Sequence, residues 1–205
     1  EVDTGISASS NADVTVGGNV SGGTYGIYAN GNGNVDKDLI EIKVGKNVSG
    51  KEKAVWAKDG TSITIGGNAD SNRSGVYASD NRAQPAGTDV HVKGDVNVVT
   101  TETKKDEVYG IKASGGAEVN VDETVRINDA FVLGGYAVQS FYDSIIKVGA
   151  IETDNAGIWA NSGTVIVEGD VEHGREGKNY QSVILQGSNS KVFIGGDLKT
   201  KAERS

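Results

Sequence analysis

Four large aromatic residues recur at one place in a repeated phrase. They are Tyr28 in GIYAN (26–30), Trp56 in AVWAK (54–58), Tyr77 in GVYAS (75–79) and Trp159 in GIWAN (157–161). Each stands between an aliphatic residue and an alanine, so strand alternation puts it on the opposite face from both. A row of exposed rings can stack on sugars or anchor a protein partner. The alternative is that the rings stack on one another, or lie under a loop, and only stabilise a sheet. These four are the candidate ligand-binding residues.

Other chemistry has less to stand on. His91 occupies the outward position of a V-x-V stretch and His173 falls in a loop, and the sequence gives neither a partner. There is no G-x-S-x-G, HExxH or P-loop motif. The 28 carboxylates cannot be paired from sequence, although some β-helices are polysaccharide lyases or hydrolases that use acidic clusters or calcium. No catalytic residue, metal ligand or cofactor is expected. The stretch NGNGNVDKD (30–38) sets Asn30, Asn32, Asn34, Asp36 and Asp38 at alternate positions, a spacing like that of a calcium loop. It lacks the bidentate Glu at the expected place and a fixed glycine, so a flexible polar insertion is the preferred reading. Lys93-Gly94-Asp95 is similar to an integrin-type tripeptide, but Gly94 and Asp95 already belong to the repeat described below.

Composition narrows the partners. With 20 basic and 28 acidic residues the net charge is −8, and a phosphate backbone would be repelled, so nucleic acid is not an expected partner. There is no cysteine, which excludes disulfides and thiolate chemistry. No segment approaches the ~20 apolar residues that span a bilayer. Thirty glycines against one proline point to many turns and no helical pattern of period 3.6 is present.

The elements that hold the aromatic row follow from the repeat. The second half of the phrase, V-x-V-G-G-[ND]-V, begins at Val14, Ile42, Ile63, Val90, Val119, Ile146, Val165 and Val192, at intervals of 19 to 29 residues. The first half places an aliphatic residue at Ile6, Ile27, Val55, Val76, Ile111, Val138, Ile158 and Ile184. Eight copies of short alternating stretches fill residues 1–205. They are expected to stack as coils, equivalent residues about 4.8 Å apart. An ordinary β-sandwich also has many short strands, but needs no constant residue order from strand to strand. Small residues at Ala8, Ala29, Ala57, Ala78, Ala113, Ser140 and Ala160 fill a narrow interior, and Gln186 breaks that column. Gly-Gly is expected to turn the chain through positive φ. Asn19, Asn47, Asn68, Asp95, Asp170 and Asp197 follow, where side chains can bond from coil to coil; Thr124 and Ala150 interrupt the series.

The recurrent G-[IV]-[YW]-A and V-x-V-G-G-[ND]-V resemble the passenger region of bacterial autotransporters, over essentially the whole chain. The resemblance implies an all-β, right-handed parallel β-helix of about eight rungs. It also implies display at the outer membrane of a Gram-negative cell through a barrel domain not included in this stretch. Lack of cysteine suits a chain exported unfolded. The stretch begins inside rung 1 and ends just after rung 8 without a distinct capping segment. It is therefore expected to be a single β-helix section excised from a longer passenger.

Loop lengths sharpen the site. The arc after the small-residue column is 4–5 residues in six rungs, but 12 in rung 2 (30–41) and 11 in rung 4 (79–89). These insertions leave one edge on either side of rung 3 and would flank Trp56. The expected function is a non-enzymatic, cell-surface adhesin module contacting a host or bacterial surface glycan or protein. A self-associating rod that aggregates cells is the first alternative, using outward ladders such as Thr15, Lys43, Thr64, His91, Asn120 and Lys147. A polysaccharide-degrading enzyme is the second.

Overall fold

Short alternating stretches separated by Gly, Asn and Asp can bury one face only by lying against copies of themselves, and the chain does so throughout. A computed structural model describes residues 3–31, 39–81, 87–100, 108–129, 135–175 and 180–201. Repeat 1 holds β1 (Thr4–Ser9), β2 (Asp13–Val16) and β3 (Val20–Gly22); repeat 2 holds β4 (Tyr25–Asn30), β5 (Ile40–Val44) and β6 (Val48–Gly50). Repeat 3 has β7 (Lys53–Lys58), β8 (Thr61–Ile65) and β9 (Ala69–Ser71); repeat 4 has β10 (Ser74–Ser79), β11 (Asp89–Val92) and β12 (Val96–Thr100). Repeats 5 and 6 have two strands each: β13 (Tyr109–Ser114) with β14 (Glu118–Asp129), and β15 (Tyr136–Phe141) with β16 (Ile145–Thr153). Repeat 7 comprises β17 (Ala156–Asn161), β18 (Thr164–Val167) and β19 (Val171–His173); repeat 8 comprises β20 (Val183–Gln186), β21 (Lys191–Ile194) and β22 (Leu198–Thr200).

The described residues are all β, without helices, and every strand pair is parallel. The first strands form one eight-stranded sheet in repeat order; the second and third strands form rows joined into one 14-stranded sheet through β14 and β16. This is parallel strands in stacked sheets, consistent with a β-solenoid.

Register follows the phrase. Ile6, Ile27, Val55, Val76, Ile111, Val138 and Ile158 lie opposite one another in turn, and from Ile27 to Ile158 each is fully buried. Burying such a side chain contributes about 1.5–3 kcal/mol. The small-residue column is inside as well, and Ser140 within it is satisfied by Ser144 at 2.8 Å. The V-x-V residues from Val14 to Val192 pair as aligned.

Two expectations are corrected. In repeat 8 the register is one residue earlier: Val183, not Ile184, continues the aliphatic column, Ile184 lies opposite Trp159, and Leu185 rather than Gln186 faces Ala160. The Gly-Gly pairs that follow V-x-V, at 17–18, 66–67 and 195–196, do not turn through positive φ. Left-handed residues lie instead at the corner between first and second strands, among them Ser10, Asn11, Asp59, Gly60, Gly115, Gly116, Tyr142 and Asp143. Gly45, in the V-x-V-G position, is glycine because of stacking: a Cβ there would lie 2.7 Å from the carbonyl oxygen of Gly17.

The Asn/Asp positions hold together the corner between second and third strands. Asn19 Oδ1 accepts from Asn47 N–H (3.1 Å), Asn47 from Asn68 (2.9 Å), Asn68 from Asp95 (3.0 Å), and Asp95 from Thr124 (3.1 Å). Asp170 repeats the bond to Asp197 at 2.8 Å. Where Asp122-Glu123-Thr124 and Gly149-Ala150 replace the motif, the strands run on as β14 and β16, with a register shift between Val121 and Thr124. Asn68→Ala removes an acceptor from the partly buried Asp95 N–H. It is expected to cost about 1 kcal/mol, measured by urea denaturation.

Candidate ligand-binding face

Alternation on the first strands turns one column out: Ser7, Tyr28, Trp56, Tyr77, Lys112, Gln139, Trp159 and Ile184. Tyr28, Trp56 and Tyr77 are neighbours in it and all half-buried, as is Trp159. Ring centroids of Tyr28 and Trp56 are 5.2 Å apart at 84°, and those of Trp56 and Tyr77 6.1 Å apart at 85°. Edge-to-face pairs of this kind contribute about 0.5–1.5 kcal/mol each, so the rings support the sheet as well as offering a surface. Tyr25 adds a third ring to Trp56, 5.2 Å away. Two amines sit over the indole, Lys53 Nζ at 5.2 Å and Lys58 Nζ at 4.6 Å from the centroid.

Trp159 does not join this group. Lys112 and Gln139 separate it from Tyr77, and it packs with Tyr136 (5.3 Å) and Phe141 (5.0 Å). Lys112 Nζ lies 5.8 Å from both the Tyr109 and Phe141 rings and so spans the gap. Between the two groups is a depression of about 180 Å³ lined by Lys53, Trp56, Tyr77, Tyr109 and Lys112. The Nε1 atoms of Trp56 and Trp159 are buried without a hydrogen-bond partner. Lys53, Tyr109 and Tyr136 were not foreseen. The signal was a second recurrence, an aromatic or lysine immediately before the glycine or alanine of the phrase, at Tyr25, Lys53, Tyr109 and Tyr136.

The described ends of both insertions meet repeat 3. Gly31 N–H donates to the Lys58 carbonyl (3.1 Å), Ile40 N–H to Gly60 (3.1 Å), and Gly60 N–H to Thr88 Oγ1 (3.2 Å). They leave the edge beside Lys58 as the loop lengths imply. The tips, 32–38 and 82–86, lie outside the described residues, and so does the calcium-like series from Asn32 to Asp38. Among the described residues no group of three or more His, Asp or Glu could hold a metal ion.

Both histidines have partners. His91 Nε2 is 2.8 Å from Asp122 Oδ1, one repeat on. His173 is not in a loop: it ends β19, 1% exposed, with Nε2 2.6 Å from Ser182 Oγ. A Ser–His contact is the start of a hydrolytic triad, but among the described residues none is hydrogen-bonded to His173 Nδ1. Burial lowers the His173 pKa below its ordinary value of 6.5. The unfolded chain therefore takes up a proton near pH 6.5 that the folded ring resists. The stability this neutral ring contributes is full above pH 6.5 and falls as the pH drops below it, by at most about 1.4 kcal/mol per pH unit. The urea midpoint of the native protein is expected to fall between about pH 7.5 and about pH 5.5, and His173→Asn to flatten that slope.

A second concavity, about 580 Å³, follows the outward column of the third strands, through Ser49, Asp70, Asn97 and Arg126. Its polar groups bond one another: Ser49 Oγ donates to Ser21 Oγ at 3.1 Å and Asn97 Nδ2 to Asp70 Oδ1 at 2.9 Å. It contains no aromatic residue.

Compared with known protein families, curated proteins and solved structures, the chain matches none.

Proposed function

We propose that the protein is a non-enzymatic binding module built as a right-handed parallel β-helix of about eight rungs. It resembles the passenger of an autotransporter displayed at the surface of a Gram-negative cell. It contacts a glycan or protein of a host or bacterial surface through the face carrying Tyr28, Trp56 and Tyr77, with Trp159 in a second group further along. The observation that carries this reading is the concentration of rings. Nine of the 12 aromatic residues stand on the first-strand sheet or at the corner it leads into, at Tyr25, Tyr28, Trp56, Tyr77, Tyr109, Tyr136, Phe141, Tyr142 and Trp159. Half-buried rings in a row on one sheet suit stacking against a ligand better than enclosing a reacting group.

Trp56→Ala removes the centre of the cluster. On a glycan array it is expected to weaken binding about tenfold, within the about 1–3 kcal/mol that stacking on one ring supplies. It is also expected to lower stability by about 1–3 kcal/mol through the lost ring contacts. Unchanged array binding by the folded variant would remove the aromatic face from the reading. Concentration-dependent self-association in light scattering, with no glycan bound, would favour a self-associating rod.

A further inference from the structure

We infer that the groove along the third strands is a second binding site, separate from the aromatic face, and that it takes a neutral, hydroxyl-rich ligand: a linear glycan lying along the stacking direction.

The groove is a product of side-chain length. The outward column of the third strands reads Ser21, Ser49, Asp70 and Asn97 over repeats 1 to 4. It continues as Arg126, Glu152, Glu172 and Lys199 over repeats 5 to 8. The short residues of the first four repeats leave a concavity of about 580 Å³. Arg126 stands at its end, paired with Asp95 at 2.6 Å and Glu152 at 3.4 Å. With rungs ~4.8 Å apart, Ser21 and Asn97 are separated by three intervals, about 14 Å, which is room for a few sugar units. A chain lying in the groove meets a new polar side chain at every rung.

The column has hydrogen-bonding capacity to spare. Ser49 Oγ donates to Ser21 Oγ, which leaves the Ser21 hydrogen and the Ser49 lone pairs. Asn97 Nδ2 donates to Asp70 Oδ1, which leaves Asp70 Oδ2, the Asn97 carbonyl and one amide hydrogen. The Asp70 side chain is half-buried, and among the described residues no cation pairs with it. Acceptors therefore outnumber donors, and a ligand rich in hydroxyls supplies what is missing. Hydrogen bonds to a carboxylate are the stronger kind. Val99, 54% exposed in the same lining, offers an apolar contact for the C–H face of a sugar ring.

Charge selects against the alternatives. An anionic ligand would meet the Asp70 carboxylate, while the Arg126 charge is already met by Asp95 and Glu152. A cationic ligand would meet the charge of Lys51 in the same lining. An extended peptide is captured by free backbone groups at a sheet edge, whereas this groove lies on a sheet face whose strands are paired on both sides from β6 to β12.

The test is calorimetric titration with three neutral linear hexasaccharides: maltohexaose, cellohexaose and mannohexaose. At least one is expected to bind, with an affinity that changes less than twofold between about 20 and about 300 mM sodium chloride. Asp70→Ala and Asn97→Ala are each expected to weaken it about tenfold, and Ser49→Tyr to abolish it by filling the groove. Glu172→Gln, in the same column beyond the groove, is expected to leave it unchanged. All four positions face outward, so circular dichroism melts of the variants are expected to match the native protein within a few degrees. Binding by none of the three sugars would overturn the inference. Binding kept in Asp70→Ala and Ser49→Tyr but lost in Trp56→Ala would overturn the groove and credit the aromatic face. Salt-sensitive binding of a heparin fragment or of oligolysine, tighter than any neutral sugar and lost in Ser49→Tyr, would overturn the neutral ligand.

Discussion

Gly26→Ala is expected to destabilise the protein by about 2–3 kcal/mol, whereas Gly18→Ala is expected to change it by no more than about 0.5 kcal/mol. Both glycines have ordinary backbone angles, so the difference is not one of left-handed conformation. A Cβ on Gly26 would lie 2.5 Å from Val48 Cγ1, 2.6 Å from the Ala54 carbonyl oxygen and 2.8 Å from that of Ser49. Two of those atoms are backbone and cannot rotate away. At Gly18 nothing lies within 4 Å. The glycine of the first strand thus makes room for a valine of the third, and repeat 3 shows the exchange, with Ala54 and Ala69 in the two places. Val48→Ala is accordingly expected to recover part of the loss in Gly26→Ala, less than all of it because the carbonyls remain. Thermal melts of the two single variants and the double variant measure this directly.

Ile111→Asp is expected to abolish folding, while Thr64→Asp leaves the melting temperature within a few degrees. Ile111 is fully buried, with Val76 on one side and Val138 on the other in the same column. Aspartate there loses the burial of an isoleucine and places a carboxylate where only apolar groups and alanine lie, at a cost above about 4 kcal/mol. That is comparable with the whole stability of many domains. Thr64 belongs to an outward column, between Lys43 and His91, where a carboxylate stays hydrated and meets a positive neighbour. Circular dichroism of the soluble fraction separates the two outcomes.

Much of this arrangement was legible in the sequence because stacking converts a linear repeat into vertical identity. The aliphatic and V-x-V columns could be aligned by residue type alone, and repeats 1 to 7 follow that alignment. Repeat 8 slipped because Val183-Ile184-Leu185 offers three apolar residues in a row, and alternation cannot choose among them without an alanine to fix the phase. The Gly-Gly corner was misread for a different reason. Glycine serves both positive φ and close approach, and sequence does not distinguish them. The aromatic column was visible as a pattern, but its closure onto itself depends on side-chain angles that no pattern carries. Lys53 was hidden by its position two residues before Val55, outside the phrase. The His173–Ser182 contact joins residues nine apart, a spacing outside the repeated phrase, so no periodicity points to it.

One consequence follows from the pairing order, in which each strand bonds only strands of the preceding and following repeats. Among the described residues no strand pairing bypasses a neighbour, and the side-chain ties that do, Tyr136 to Gln181 (3.4 Å) and Lys201 to Glu152 (3.9 Å), join repeats 6 and 8, so over repeats 1 to 6 cohesion is close to a sum of serial joints. The joints between repeats 5 and 6 and between repeats 6 and 7 lack the side-chain acceptor that Asn19, Asn47, Asn68 and Asp95 supply earlier, since Thr124 and Ala150 stand in its place. Under tension along the stacking direction, the continuous pairing of β14 and β16 carries through that corner what side-chain amides carry at the others, so opening is expected to begin at an outer repeat.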